Sequence, residues 1–211
     1  MNVTPGVSEK AVCLISLGSS KDPERAAAVY AKRAIECGAE LLLCPLDNLE
    51  AINRRVLYGD TDGPESPYIA EPCMRVQEFC RRSGPALHFV PYSRFEARTD
   101  FARYVACFLD LFSTNRRFRS EVRNQTYRNL QPVLRRKGIE KKDRSALNAL
   151  GEFLVREIAF KCFLGNESIA TFEYGLAPQM EVMHSVHELR YPQVGELVGR
   201  QLEFVHVNWH E

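Results

Sequence analysis

Short apolar runs alternate with longer amphipathic stretches along most of this chain. The runs Ala11–Ser16 (AVCLIS), Glu40–Pro45 (ELLLCP) and Ala86–Pro91 (ALHFVP) are mostly apolar on both faces. Strands of that kind belong to a parallel sheet covered by helices. Between the first two, Asp22 to Cys37 reads as a helix. Asp22 serves as N-cap, Pro23 suits the first turn, and Gly38 can close the end in a left-handed conformation. Asn48 to Leu57 predicts a second helix, 60–67 (DTDGPESP) a loop, and a further helix runs to about Ser83. Helical patterns return at Thr99–Phe112, Asn115–Arg136 and Asp143–Phe163, and Ser168–Glu173 and Leu202–Asn208 alternate as late strands. Strand–helix alternation with short loops predicts the α/β class. The expected architecture is a Rossmann-like, open, mostly parallel sheet flanked by helices, in one domain spanning 1–211.

Composition narrows the class. Of 211 residues, 45% are hydrophobic and 26% charged, which excludes disordered and fibrous chains. No apolar run approaches ~20 residues, so no membrane span is expected. The first ten residues lack a basic flank followed by an apolar stretch, so the expected location is cytoplasmic. Seven cysteines, at 13, 37, 44, 73, 80, 107 and 162, form no CxxC pair and read as reduced thiols packed as small hydrophobes. His184 and His187, at i and i+3, have no companions at zinc-ligand spacing, so no metal site is expected.

Charge is distributed unevenly. The formal net charge is only +1, yet 115–145 holds eleven Lys/Arg against three acids, leaving the rest of the chain at −7. That segment is either a solvated basic helix or a face for a polyanion.

The loop after the first strand, Ser16-Leu17-Gly18-Ser19-Ser20, falls where open α/β sheets bind ligands. A serine there, facing a helix N-terminus, could act as a nucleophile or hold a phosphate. There is no GxGxxG, no GxxxxGK[ST] and no GxSxG in the chain.

Together with the segments downstream of it, this loop resembles the first-strand motif of the cyclodipeptide synthases, in which a nucleophilic serine precedes a pocket residue by three positions. Asp47-Asn48-Leu49-Glu50-Ala51-Ile52-Asn53-Arg54-Arg55-Val56-Leu57-Tyr58-Gly59 is similar to the family's block after the second strand. Phe118-Arg119 and Thr126 match its middle, and Glu157, four residues after Phe153, falls where the family carries its catalytic glutamate. The resemblance covers about residues 11 to 175 and lies in the order and spacing of the motifs. Departures are Leu14 for a glycine, Phe153 for a tyrosine, and Ile158-Ala159 for Leu-Pro. The segment 68–83, usually richly basic in the family, has only Arg75, Arg81 and Arg82 against two glutamates.

The resemblance implies an α/β fold similar to the catalytic core of class I aminoacyl-tRNA synthetases. It implies an aminoacyltransferase that takes two aminoacyl-tRNAs and no cofactor; the sequence leaves the oligomeric state open, with a monomer expected. A ping-pong route through aminoacyl-Ser16 and a dipeptidyl enzyme would yield a cyclic dipeptide. The implied catalytic residues are Ser16, Glu157 and Tyr174. The implied pocket residues are Leu14, Gly18, Ser19, Leu43, Cys44, Asn53, Phe153 and Glu173. If Glu173 rather than Tyr174 faces the pocket, a polar or cationic amino acid such as histidine is favoured. For tRNA, the implied contacts are Arg75, Arg81 and Arg82 together with Arg116, Arg117, Arg119 and Arg123. The alternative from the same residues is a non-catalytic tRNA- or RNA-binding domain. A synthetase-like ligase is a further rival, but its HIGH- and KMSKS-like nucleotide motifs are absent from the sequence.

Overall fold

The structure, a computed structural model, describes residues 10–17, 22–37, 40–167, 169–174, 181–198 and 204–207. Five strands form one sheet: β1 (Lys10–Ile15), β2 (Glu40–Pro45), β3 (Leu87–Phe89), β4 (Ala170–Tyr174) and β5 (Phe204–Val207). All neighbours are parallel, in the order β3-β2-β1-β4-β5. The chain builds outward from β1 through β2 to β3, then returns to the other side of β1 for β4 and β5. The direction of growth therefore reverses between β1 and β4.

The helices are α1 (Pro23–Cys37), α2 (Asp47–Tyr58), α3 (Pro67–Ser83), α4 (Tyr92–Glu96), α5 (Thr99–Thr114), α6 (Arg116–Arg136), α7 (Arg144–Asn166) and α8 (Glu181–His187). Their starts follow from local chemistry. Asp22 Oδ1 accepts from the backbone N–H of Glu24 and Arg25 at 3.1 and 3.2 Å, opening α1. Asn115 accepts from the N–H of Arg117 and Phe118 at 3.0 Å, opening α6, and Asp143 from that of Ala146 at 3.1 Å, opening α7. Gly59 ends α2 at φ 70°, a left-handed turn that a side chain resists.

Alternation along β1 and β2 divides the core into two layers. Ala11, Cys13, Ile15, Leu41 and Leu43 pack against α1 and α3, meeting Ala27, Tyr30, Ile69 and Val76. Val12 and Cys44, with Leu14 and Leu42 beside them, face the layer that holds α2, α4, α5, α6 and α7. Phe160 of α7 locks that second layer. Its ring lies 4.7, 5.1 and 5.4 Å from those of Phe95, Tyr92 and Phe101. Each such pair contributes about 0.5–1.5 kcal/mol beyond burial. Close approach of α6 and α7 depends on Gly151, where a Cβ would stand 3.1 Å from Val122 Cγ1 and 3.2 Å from Phe112 Cζ.

The length of α7 sets the level of its side chains. Its 23 residues rise about 34 Å, against about 20 Å for the six of β1. Glu157 stands about 14 Å along the helix axis from Asn166, the last residue of α7.

Two expectations shift. The third strand is three residues long rather than six, because Pro91 has no N–H for a ladder and α4 begins directly after it. The short helices α4 and α8 carry too few turns to show a periodicity in sequence.

Candidate active site

In an open parallel sheet the ligand crevice lies outside the carboxyl ends of the strands, where strand order reverses. Ser16 is the first residue beyond β1 at that reversal, and it is half-buried. Two positions after Leu14, it continues the face of β1 turned toward α7. The register Val12↔Thr171 and Cys13↔Phe172, continued one step, brings position 173 level with Leu14 and position 174 level with Ile15. Glu173 and Tyr174 thus end the strand beside Ser16. Their side chains, and Gly18 and Ser19 entirely, lie outside the described residues.

The next two strands lead into a chain of polar contacts. Asp47, buried at the start of α2, accepts the N–H of Ser93 at 2.9 Å and so ties α2 to α4. Asn48 Nδ2 donates to Glu96 Oε2. The other oxygen of Glu96 accepts from Arg156 Nη1 of α7 at 3.1 Å, and Arg156 also pairs with Glu152 at 2.8 Å. Burial works against the charge of Arg156, and the carboxylates of Glu152 and Glu96 outweigh it, holding the guanidinium above its ordinary pKa. Beside this chain the Tyr92 phenol is pushed up, first by burial and then by Glu96. Asn53 Oδ1 and Tyr92 Oη are buried, with no hydrogen-bond partner among the described residues.

Glu157 lies one turn from Phe160 on α7. Its Oε1 stands 3.1 Å from Nζ of Lys161, which is 2% exposed. A lysine this deep needs a carboxylate close by. In the sequence Lys161 carries one signal, its i,i+4 spacing from Glu157. Such a spacing is weak evidence of a site, because most i,i+4 pairs lie on solvated helix faces.

The remaining predicted pocket residues divide. Leu14 and Phe153 are half-buried against the layer that contains α7. Cys44 belongs to that layer too, but it is fully buried. Burial, then the charge of Asp47, pushes its thiol well above its ordinary pKa, which leaves it a packed thiol rather than a reactive one. Leu43 lies elsewhere: it is buried on the opposite face of the sheet, among α1 and α3. Both faces of β2 are apolar, so its pattern carried no sign of which face met the crevice.

The two predicted arginine sets are also on opposite faces. Arg75, Arg81 and Arg82 sit on α3, and Glu78 binds both Arg81, at 2.8 Å, and Arg82. Arg116, Arg117, Arg119 and Arg123 sit on α6. Arg117 pairs with Glu121 at 3.1 Å, and Arg119 caps α5 through the carbonyls of Phe112 and Ser113. Arg123 donates to Asn148 Oδ1 at 2.6 Å. Partial burial lowers its pKa, and the nearby charges of Arg119 and Arg144 lower it further. No carboxylate pairs with Arg123 among the described residues.

A groove of about 350 Å³ between α6 and α8 is lined by Glu121, Arg128, Glu181, His184 and Arg190 among others, and contains none of the predicted site residues. Among the described residues no group of three or more His, Cys, Asp or Glu could hold a metal ion. No helix there is long and apolar enough to cross a membrane.

The solved structure of a CDPS (cyclodipeptide synthase) from Fluoribacter dumoffii is similar to this chain, with a TM-score of 0.64. The match covers 96% of this chain and 93% of that one, at 16% identity. The chain has the cyclodipeptide-synthase fold. No protein-family model and no curated protein matches the sequence.

Proposed function

We propose that this protein is a cyclodipeptide synthase, one domain that joins the aminoacyl groups of two aminoacyl-tRNAs into a cyclic dipeptide. The observations that carry this most are the cyclodipeptide-synthase fold over 96% of the chain and the position of Ser16 just beyond β1, where the strand order reverses.

The chemistry needs no external energy source, because an aminoacyl-tRNA is already an activated ester. Ser16 Oγ attacks the first ester carbonyl, and the departing tRNA 3′-oxygen takes up the proton. The amine of the serine-bound residue then attacks the second ester carbonyl. An amide forms and the second tRNA leaves. The newly added residue's amine attacks the Ser16 ester, which closes the ring and frees the serine. Glu157 binds the α-ammonium of the bound residue and accepts its proton when the amine must attack. An α-amino group with a pKa of about 7.7–8.0 releases that proton readily near neutrality. Lys161 occupies one carboxylate oxygen and leaves the other for the substrate. Asn53 Oδ1 supplies a buried acceptor on the neighbouring helix. If Glu173 rather than Tyr174 faces the pocket, a polar or cationic amino acid is favoured as substrate.

The test is intact-protein mass spectrometry after mixing with one charged tRNA and an acid quench. Wild type should gain one aminoacyl mass and Ser16→Ala none. An adduct of equal yield on Ser16→Ala, or no adduct on wild type while tRNA stays bound, favours a non-catalytic tRNA-binding protein.

A further inference from the structure

Tyr58, at the end of α2, and Tyr68, at the start of α3, are 52% and 65% exposed. Cations stack against both rings. The guanidinium carbon of Arg54 lies 4.0 Å from the ring centroid of Tyr68 and 5.1 Å from that of Tyr58, and Lys137 Nζ lies 4.4 Å from that of Tyr58. Arg54 is itself fixed. Its Nε donates to Asp60 Oδ2 at 2.8 Å, and the same oxygen accepts from Ser66 Oγ at 2.6 Å. These two bonds, Arg54 first, hold the Asp60 carboxyl below its ordinary pKa. The left-handed turn at Gly59 brings Asp60 back toward Arg54. Arg54 thus stands against both rings and Lys137 against Tyr58, so two exposed tyrosines and two cations form one cluster.

Unpaired nucleotides bind surfaces built this way. Bases stack on exposed aromatic rings and on guanidinium planes, while ammonium groups meet phosphates. The setting has the matching charge, since Lys137 lies within the 115–145 segment that carries eight net positive charges. We propose that the Lys137–Tyr58–Arg54–Tyr68 cluster is a stacking site for unpaired nucleotides of an RNA. The cluster rests on the proposed synthase function only in taking that RNA to be a tRNA. Tyr58 lies about 17 Å along α2 from Asp47, so the cluster grips the RNA away from its acylated end.

A fluorescence-anisotropy titration tests this with two probes: a labelled single-stranded RNA of about ten nucleotides, and unacylated bulk tRNA. Both are titrated over a series of potassium chloride concentrations. Y58A/Y68A should weaken both probes about tenfold or more at every salt, because stacking does not involve released counterions. The slope of log Kd against log salt should stay as in wild type. Y58F/Y68F keeps the rings and should bind as wild type does. Matching thermal midpoints confirm that the surface variants are folded. Wild-type affinity in Y58A/Y68A, or no binding of the short RNA by wild type, overturns the proposal. Cyclic-dipeptide formation by wild type is scored alongside. Its absence together with tyrosine-dependent binding counts against the proposed enzyme and leaves the cluster standing, while product with tyrosine-independent binding does the reverse.

Discussion

Lys161 Nζ lies 3.1 Å from Glu157 Oε1, one turn further along α7, with side-chain exposures of 3% and 16%. The two residues share a helix face that meets the core, so the pair joins the stability of α7 to the orientation of the carboxylate proposed to receive substrate.

That coupling is measurable. Glu157→Gln removes the countercharge of a buried ammonium and should destabilise the protein by about 1–3 kcal/mol in urea denaturation. Lys161→Met in the same background should recover part of the loss. A double-mutant cycle should give a coupling of about 1 kcal/mol or more. Strictly additive effects would show that the pair has no energetic role.

The arginines make a second distinction. Arg81 and Arg82 are already bound to Glu78, whereas Arg123 lies among like charges with an amide as its hydrogen-bond partner. Arg119→Gln/Arg123→Gln should weaken tRNA binding and flatten its salt dependence by about one to two units of slope. Arg81→Gln/Arg82→Gln should change neither. Equal losses from the two pairs would place RNA on both faces of the sheet.

Thiol chemistry tests the burial of the strands. Burial raises the Cys73 thiol to about 12 and the Cys80 thiol to about 11. Each should therefore alkylate in the folded protein at a rate that keeps rising with pH through 9, because the thiolate is the reactive form. Cys13 and Cys44, deeper and raised well above the ordinary value, should stay unmodified until unfolding. A rate plateau near pH 9 for Cys80, or rapid modification of Cys44, would contradict the packing of β1, β2 and α3. Peptide mapping after timed iodoacetamide treatment reads all four sites.

Much of the architecture was legible because apolar runs and caps are local signals. Asp22, Asn115 and Asp143 mark helix starts by their own side-chain bonds, and the β1 and β2 runs announce a covered parallel sheet. What stayed hidden depends on tertiary side. Leu43 and Cys44 are adjacent and both apolar, and only the packed helices show that they face different layers. Arg81 and Arg123 look alike in sequence, yet α3 and α6 lie across the sheet from one another. The importance of Lys161 comes from burial, which an i,i+4 spacing does not report. Tyr58, Arg54 and Tyr68 come together through the turn at Gly59, and Lys137 arrives from the far end of α6.

The most direct test of the proposed reaction is a mass-spectrometric search for cyclic dipeptides. Purified protein is incubated with bulk tRNA, all the amino acids and the charging enzymes, with Ser16→Ala run in parallel. A cyclic dipeptide from wild type and none from Ser16→Ala is the expected result, and its composition names the substrates. No cyclic dipeptide from folded wild-type protein that binds tRNA, or the same yield from Ser16→Ala, would contradict the assignment of this fold and this serine to peptide-bond formation.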